Sequence, residues 1–521
     1  MTITTVSRRR VLQGASVLGA GLVTAMASGR LAWTADARVL KVQNDRDISV
    51  LDPANRGGWW EETVMFAIFS GLCQYAPGSE WTYKLDAAET LEQVDPLTVK
   101  FTLRPGIKWT GGYGELTAED VKYSYERIAN PDTGAVYQLD WDALDNVEVT
   151  DALSGIIHLK RPFPPLFKST MPHASGLIVS KAAMEANGGT ITTDPFATSG
   201  PYMIKEWAPR ERLVLVRNEL WSGPEVYFDE IQLTPIDDMK TAEIGYEAGD
   251  LDVTKVSLSS MEQIQAAGDP GTSLDARPAL NYMWVGMNVD HPQLKDVRVR
   301  RAIQQAIDVP AVLDTAFFGQ AKPAYGIIPP PILGYREKNT YAYDPEAAKK
   351  LLAEAGAEGL QIRLDTVNDT DRVTMAQVIQ AQLGAIGLSI EVRPMDGAAF
   401  DAQFQESEGE GWKDSQLFIV QFSTAPDPSW VTEWFTCGQV GIYNWQRTCI
   451  EEFDALNTQA VAETDEAKRA ETYRKMQDIL EESGAYVFLT HGVNAWVSRS
   501  TVKPAWSPDG QWLFVRDTTG A

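Results

Sequence analysis

Few residue types in this chain could carry out chemistry. The four histidines, His158, His173, His291 and His491, are dispersed and no C-x-x-C accompanies them, so the ligand spacing of a metal site is missing. No G-x-S-x-G, H-E-x-x-H or G-K-[ST] occurs, which removes the usual hydrolase elbow, zinc-protease helix and phosphate loop. Asp365 to Asp371 is rich in acids and amides but lacks the spacing and glycine of a calcium loop, and reads as a solvated loop. Among 71 Asp and Glu a catalytic carboxylate pair can form in space without a linear signature, so a secreted glycoside hydrolase stands as a remote alternative. Binding chemistry is better supplied. The chain has 16 Trp, and several lie beside amides: Trp59-Trp60 after Asn55-Arg56-Gly57-Gly58, and Asn281-Tyr282-Met283-Trp284. Trp430, Tyr443 and Trp445 flank Cys437 and Cys449. Indole faces stack on sugar C–H faces, and amides or Arg bind hydroxyls and anions. A single Trp more often packs a core. Trp59-Trp60 are expected in a cleft loop, because neighbours on a strand cannot both face one core.

The elements that must position these side chains are mixed α and β. Val99 to Leu103 alternates as a strand, and Thr117 with Asp120 forms a capping box before a helix carrying Val121, Tyr125 and Ile128 on one face. Leu213–Val216 and Ile231–Leu233 read as strands. Helices are expected over Val299–Ile307 and over Ala347–Ala355, the latter stopped at Gly356. A β-α-β unit follows: a strand over Leu360–Leu364, a helix near Thr374–Ile386, and a strand over Leu388–Val392. Turn or linker signals are Thr198-Ser199-Gly200-Pro201-Tyr202 and the Pro-rich stretch from Ile327 to Pro331.

The N-terminus reads as an export leader. Ser7-Arg8-Arg9-Arg10-Val11-Leu12 precedes an uncharged, Gly-rich run to Ala27, too weakly apolar for a membrane span, with A-x-A cleavage sites ending at Ala27 and Ala37. The pattern resembles a twin-arginine signal. Loss of residues 1–27 removes three Arg and no acid, taking the net charge from −25 to about −28. A surface this acidic repels phosphate backbones and argues against nucleic-acid partners. In an oxidising compartment Cys437 and Cys449 are expected to form a disulfide, while Cys73, in an apolar run, reads as a small buried hydrophobe.

Five ordered strings resemble the family 5 extracellular solute-binding proteins of bacterial ATP-driven importers. They are Leu51-Asp52-Pro53; Thr98 to Trp109 followed by Thr117 to Val121; Ser199-Gly200-Pro201-Tyr202; Arg298 to Asp308; and Ala348 through Gly356. The resemblance runs from about residue 39 onward. It implies an α/β, periplasmic binding protein type II-like, two-lobed fold with an additional inserted domain (cluster C type). Lobe I would comprise residues 38–80, 198–283 and 492–521, inserted domain II residues 81–197, and lobe III residues 284–491. It also implies a monomeric periplasmic receptor without a cofactor, which closes on a small-molecule or peptide ligand and docks on a membrane permease.

One departure bears on the ligand. Peptide receptors of this family carry a Trp and, three positions later, an Asp that pairs with the peptide α-amino group, just before a [DE]-P. Asp427-Pro428 aligns, but Gln421 takes the place of the Trp and Thr424 that of the Asp, with Phe422 between them. A neutral Thr cannot make the charge-assisted bond, so Asp427 is the available substitute. Arg372 lies near the region where dipeptide receptors bind the ligand carboxylate. The expected ligand is peptide-like; the alternative is an oligosaccharide, opine or sugar conjugate.

Overall fold

The computed structural model describes residues 37–521, and residues 38–521 form one compact unit. The export leader lies outside the described residues except for Ala37.

A seven-stranded mixed sheet underlies the first lobe. Its order is Thr272–Pro278, Val493–Arg499, Val253–Lys255, Val39–Asn44, Glu230–Pro235, Arg212–Arg217, Tyr202–Ala208. Val39–Asn44 runs parallel to both of its neighbours, and the remaining pairs are antiparallel. A four-stranded antiparallel sheet, built from residues 88–159, shares one apolar core with it. There Val99, Phe101 and Leu103 face inward as their alternation requires. The helix Ala118–Ala129 opens on the Thr117–Asp120 capping box and buries Val121, Tyr125 and Ile128. Gly200, in the Ser-Gly-Pro-Tyr turn, is where the second segment of this core meets the first. A Cβ there would lie 2.5 Å from the Ala67 carbonyl oxygen, so a side chain would force the two segments apart.

The second lobe is built on a five-stranded sheet, ordered Ser389–Met395, Gln361–Val367, Leu417–Ser423, Asn281–Met287, Tyr486–Thr490. The β-α-β unit is present: Gln361–Val367 and Ser389–Met395 pair in parallel across the helix Thr370–Ala385. The helix Pro345–Ala355 ends on Gly356 at φ 63°, the left-handed cap that its glycine permits. Strand alternation divides the interior in two. Met283, Val285 and Met287 pack on one face of the sheet, and Tyr282 and Trp284 on the other.

Two short crossings join the lobes. Ala279-Leu280 connects Thr272–Pro278 to Asn281–Met287, and His491-Gly492 connects Tyr486–Thr490 to Val493–Arg499. They bond to one another, Ala279 N–H donating to the Gly492 carbonyl at 3.3 Å. His491 Nδ1 meets the Asn281 carbonyl oxygen at 3.1 Å, and burial holds its imidazole down at about 4.

Two local expectations are corrected. Trp59 and Trp60 begin the helix Trp59–Ile68 and are not in an extended segment, so the strand-geometry argument does not apply to them. Asp365 does not belong to a solvated loop: it is fully buried in its strand, accepting from Arg393 Nε at 2.8 Å and from Arg363 Nε at 3.2 Å.

Candidate functional site

The first lobe presents a buried polar network to the second. Arg56 follows the Leu-Asp-Pro turn, where Asp52 is anchored by Arg127 at 2.6 and 2.9 Å. The Arg56 side chain is buried and donates to Glu62 Oε1 (2.5 Å), to the Pro53 carbonyl (2.9 Å) and to Ser175 Oγ (3.2 Å). Its third nitrogen faces His173 Nδ1 at 2.9 Å. The other ring nitrogen, Nε2, lies 3.2 Å from Glu62. Burial alone would raise Glu62, but His173 and Arg56 outweigh it and hold the carboxyl at about 2. Tyr137 lies on the Arg56 guanidinium at 3.6 Å. Asp140 accepts from Ser175 and lies 4.0 Å from Arg56; burial still holds it above the ordinary carboxylate range.

The second lobe meets this network with Trp430. Its ring stacks on Tyr137 (centroids 5.9 Å apart, planes 17° apart) and meets His173 edge-on at 5.4 Å. An aromatic row continues from it through Trp434 (6.2 Å from Trp430) and Tyr443 (4.8 Å from Trp434) to Phe422 (6.1 Å from Tyr443). Beyond Tyr443, Arg372 of the second lobe and Arg46 of the first both bear on Asp401 and counter the effect of burial on its carboxyl. Arg46 also covers the Trp60 ring at 4.9 Å. A cavity of about 710 Å³ lies between the lobes, walled by Tyr75, Trp81 and Phe167 on one side and by Ile332, Pro426 and Pro428 on the other. That volume is in the range of small-ligand sites.

The predicted residues divide between wall and core. Trp60, Arg372, Trp430 and Tyr443 retain exposure along the boundary. Trp59 packs edge-on to Trp496 at 6.4 Å with Lys255 above it, and Asn281 opens the crossing strand. Phe422 lies edge-on to Trp284 at 5.1 Å. Trp445 is buried against Phe404, stacked at 4.6 Å, and belongs to the core of the second lobe. Tyr282 and Trp284 are 1% exposed and stacked at 5.3 Å, yet the phenol oxygen and indole nitrogen have no hydrogen-bond partner. Thr424 is buried, its N–H donating to the Leu280 carbonyl at 2.8 Å, beside the crossing. Asp427 is occupied by Arg469, which donates to both oxygens at 2.8 Å, and by Ser429, so it has no free face for an ammonium. Cys437 and Cys449 are bonded, and Cys73 is buried and free.

Sequence reading missed Arg46, Tyr137, Asp140, His173, Glu433 and Trp434. One signal was available: Trp430 and Glu433 repeat the Trp-then-acid spacing of three on the far side of Asp427-Pro428. Among the described residues no group of three or more His, Cys, Asp and Glu could hold a metal ion, and no helix is long and apolar enough to cross a membrane.

Comparison with known proteins gives a consistent answer. The sequence model of the bacterial extracellular solute-binding proteins, family 5 middle, matches residues 82–441. The glutathione-binding protein of Salmonella paratyphi A is 25% identical over 453 residues, covering 85% of this chain and 86% of that protein. The glutathione-binding protein of Pectobacterium atrosepticum is 26% identical over 501 residues, 94% of each. Among solved structures, a dipeptide-binding protein from Pseudoalteromonas in complex with Met-Leu superposes with TM-score 0.81 at 20% identity, covering 93% of this chain and 100% of that one. A binding protein from A. tumefaciens in complex with mannopinic acid superposes with TM-score 0.79 at 22% identity, covering 93% and 99%. The likeness to these two structures is one of fold.

Proposed function

The chain belongs to the bacterial extracellular solute-binding proteins of family 5, non-catalytic receptors of ABC importers, and from that membership we propose that it captures a peptide-like solute in the periplasm by closing its lobes and delivers it to a membrane permease. The observation that carries the ligand reading is the boundary itself. An aromatic row, Tyr443–Trp434–Trp430–Tyr137, runs from an arginine-bearing end at Arg46 and Arg372 to an acidic end at Asp140 and Glu433. A molecule with an anionic and a cationic end and an apolar middle suits that order. Peptides are such molecules, and so is glutathione, the ligand named for the curated relatives. Ligand that contacts both walls binds the closed state better than the open one, and that difference drives closure. A micromolar dissociation constant would correspond to roughly −8 kcal/mol.

An opine, oligosaccharide or sugar conjugate is the second reading. It is favoured by Thr424, which stands where peptide receptors carry the acid that holds the α-amino group. The test is a thermal-shift screen of the mature protein against glutathione, di- to pentapeptides, oligosaccharides and opines. Ligand at a hundred times its dissociation constant adds about 2.7 kcal/mol of stability. Shifts by peptides support the first reading; shifts by opines or sugars alone would replace it with the second.

The division into lobe I, domain II and lobe III at the boundaries given above is part of this proposal, supported by the segregation of the three large sheets. So is export by the twin-arginine route. Replacing Arg8 and Arg9 by Lys should retain the precursor in the cytoplasm, and unimpaired export of that variant would point to the general secretion route.

A further inference from the structure

We propose that Glu433, with Asp140 facing it across the lobe boundary, is the seat for a cationic group of the ligand, an ammonium or a guanidinium. This rests on the receptor reading above.

The carboxylates around Glu433 have partners. Arg161 holds Asp142 at 2.6 and 2.7 Å, Arg469 holds Asp427, and Arg56 holds Glu62 while lying 4.0 Å from Asp140. Glu433 has none: among the described residues its carboxylate accepts no hydrogen bond and meets no Lys, Arg or His at ion-pair distance. Burial, then Asp140, Asp142 and Asp427, hold it well above the ordinary range, and no cation offsets them. Arg56 is thus the one permanent cation beside Glu62 and Asp140, and none stands beside Glu433. A partly buried carboxylate in that company costs free energy until it is protonated or a cation arrives.

An independent observation points to a ligand at the same place. The Tyr282 hydroxyl and the Trp284 indole N–H are buried without partners, on rings that lie 6.2 and 5.5 Å from Phe435, two residues beyond Glu433. Tyr282 also lies within electrostatic reach of the Glu433 carboxylate. A hydroxyl can accept from an ammonium or guanidinium, and an indole N–H needs an acceptor. Together they describe a cation bonded close to a carbonyl or hydroxyl oxygen, as in the first residue of a peptide. An inorganic ion is not favoured, because too few ligands converge to coordinate one.

The test is isothermal titration of the mature protein and of Glu433→Gln with glutathione and trialanine, each against its N-acetyl form. Wild type should bind the free amines at least tenfold more tightly than the acetylated forms, and Glu433→Gln should lose that discrimination while binding the acetylated forms within about twofold. Equal binding of both forms by wild type, or discrimination kept in Glu433→Gln, overturns the proposal and leaves the receptor reading standing. If no probe binds wild type, the receptor reading for peptides fails, and melting of the empty proteins decides the Glu433 proposal. The groups facing Glu433 are Asp140, Asp142, Asp427, Tyr282 and Tyr473, all but Asp142 themselves buried. A carboxyl raised in the folded state is penalised as pH rises past its unfolded value near 4.5. Glu433→Gln should therefore melt above wild type at pH 8 and together with it at pH 4, and coincident melting at both would overturn the proposal.

Discussion

Trp430 of the second lobe stacks on Tyr137 of the first, with ring centroids 5.9 Å apart and planes 17° from parallel. The pair is a direct contact between lobes that are also joined by the two crossings and by the Lys168–Glu466 ion pair at 2.8 Å, and Arg56 backs Tyr137 from the other side at 3.6 Å. Aromatic pairs contribute about 0.5–1.5 kcal/mol beyond their buried area. Trp430→Ala should thus shift the empty protein toward the open form, seen as a larger radius of gyration in solution scattering. It should also weaken any ligand found in the thermal-shift screen by roughly tenfold, since about 1.4 kcal/mol is a factor of ten. Unchanged scattering and affinity would remove Trp430 from the closing contact.

Asp427 and Arg469 test the difference between an anchor for ligand and an anchor for the fold. Both are buried, with two bonds of 2.8 Å between them. Asp427→Asn leaves Arg469 uncompensated and should cost about 3–5 kcal/mol of stability in urea unfolding. Affinity per folded molecule should stay within about twofold. Loss of binding with stability intact would return Asp427 to the ligand site.

Glu62 should shape the acid limb of stability. It is held at about 2 against an ordinary value of 4.5. A carboxyl depressed in the folded state stabilises above its unfolded value, and that contribution disappears as pH falls through the folded value. Between about pH 4.5 and pH 2 the wild type should therefore lose roughly 3 kcal/mol through this group. Glu62→Gln, less stable at pH 7, should show a flatter limb in that window; parallel limbs would contradict the assignment.

The bridge between Cys437 and Cys449, 12 positions apart, closes a loop that carries Tyr443 and Trp445. Chain-entropy arguments give about 3 kcal/mol for a loop of this size. Cys437→Ser, or reduction of the wild type, should lower the melting temperature by the same amount, and an unmoved transition would show that the bridge does not bear on global unfolding.

Legibility of the site in the sequence followed the range of the physics involved. Trp430, Tyr443 and Trp60 are singled out by a local signal, an aromatic type beside turn residues, and Arg372 by the resemblance to dipeptide receptors; all four keep exposure along the boundary. Trp445 carries the same signal and is core. Glu433 carries one local signal, its spacing of three from Trp430, but among 71 acids that alone does not mark a site. Its distinction is the lack of a partner, which exists only once Arg161, Arg469 and Arg56 have been assigned to other carboxylates.

By itself the sequence determined whatever depends on neighbours along the chain. The Thr117–Asp120 cap, the Gly356 stop, the alternation of Val99 to Leu103 and the β-α-β order are set by propensity, periodicity and backbone sterics. Tertiary structure alone decided which charges neutralise which. Arg469 reaches Asp427 across 42 residues and Arg56 reaches His173 across 117, and pair energies depend on distance and burial, neither of which is written in residue order.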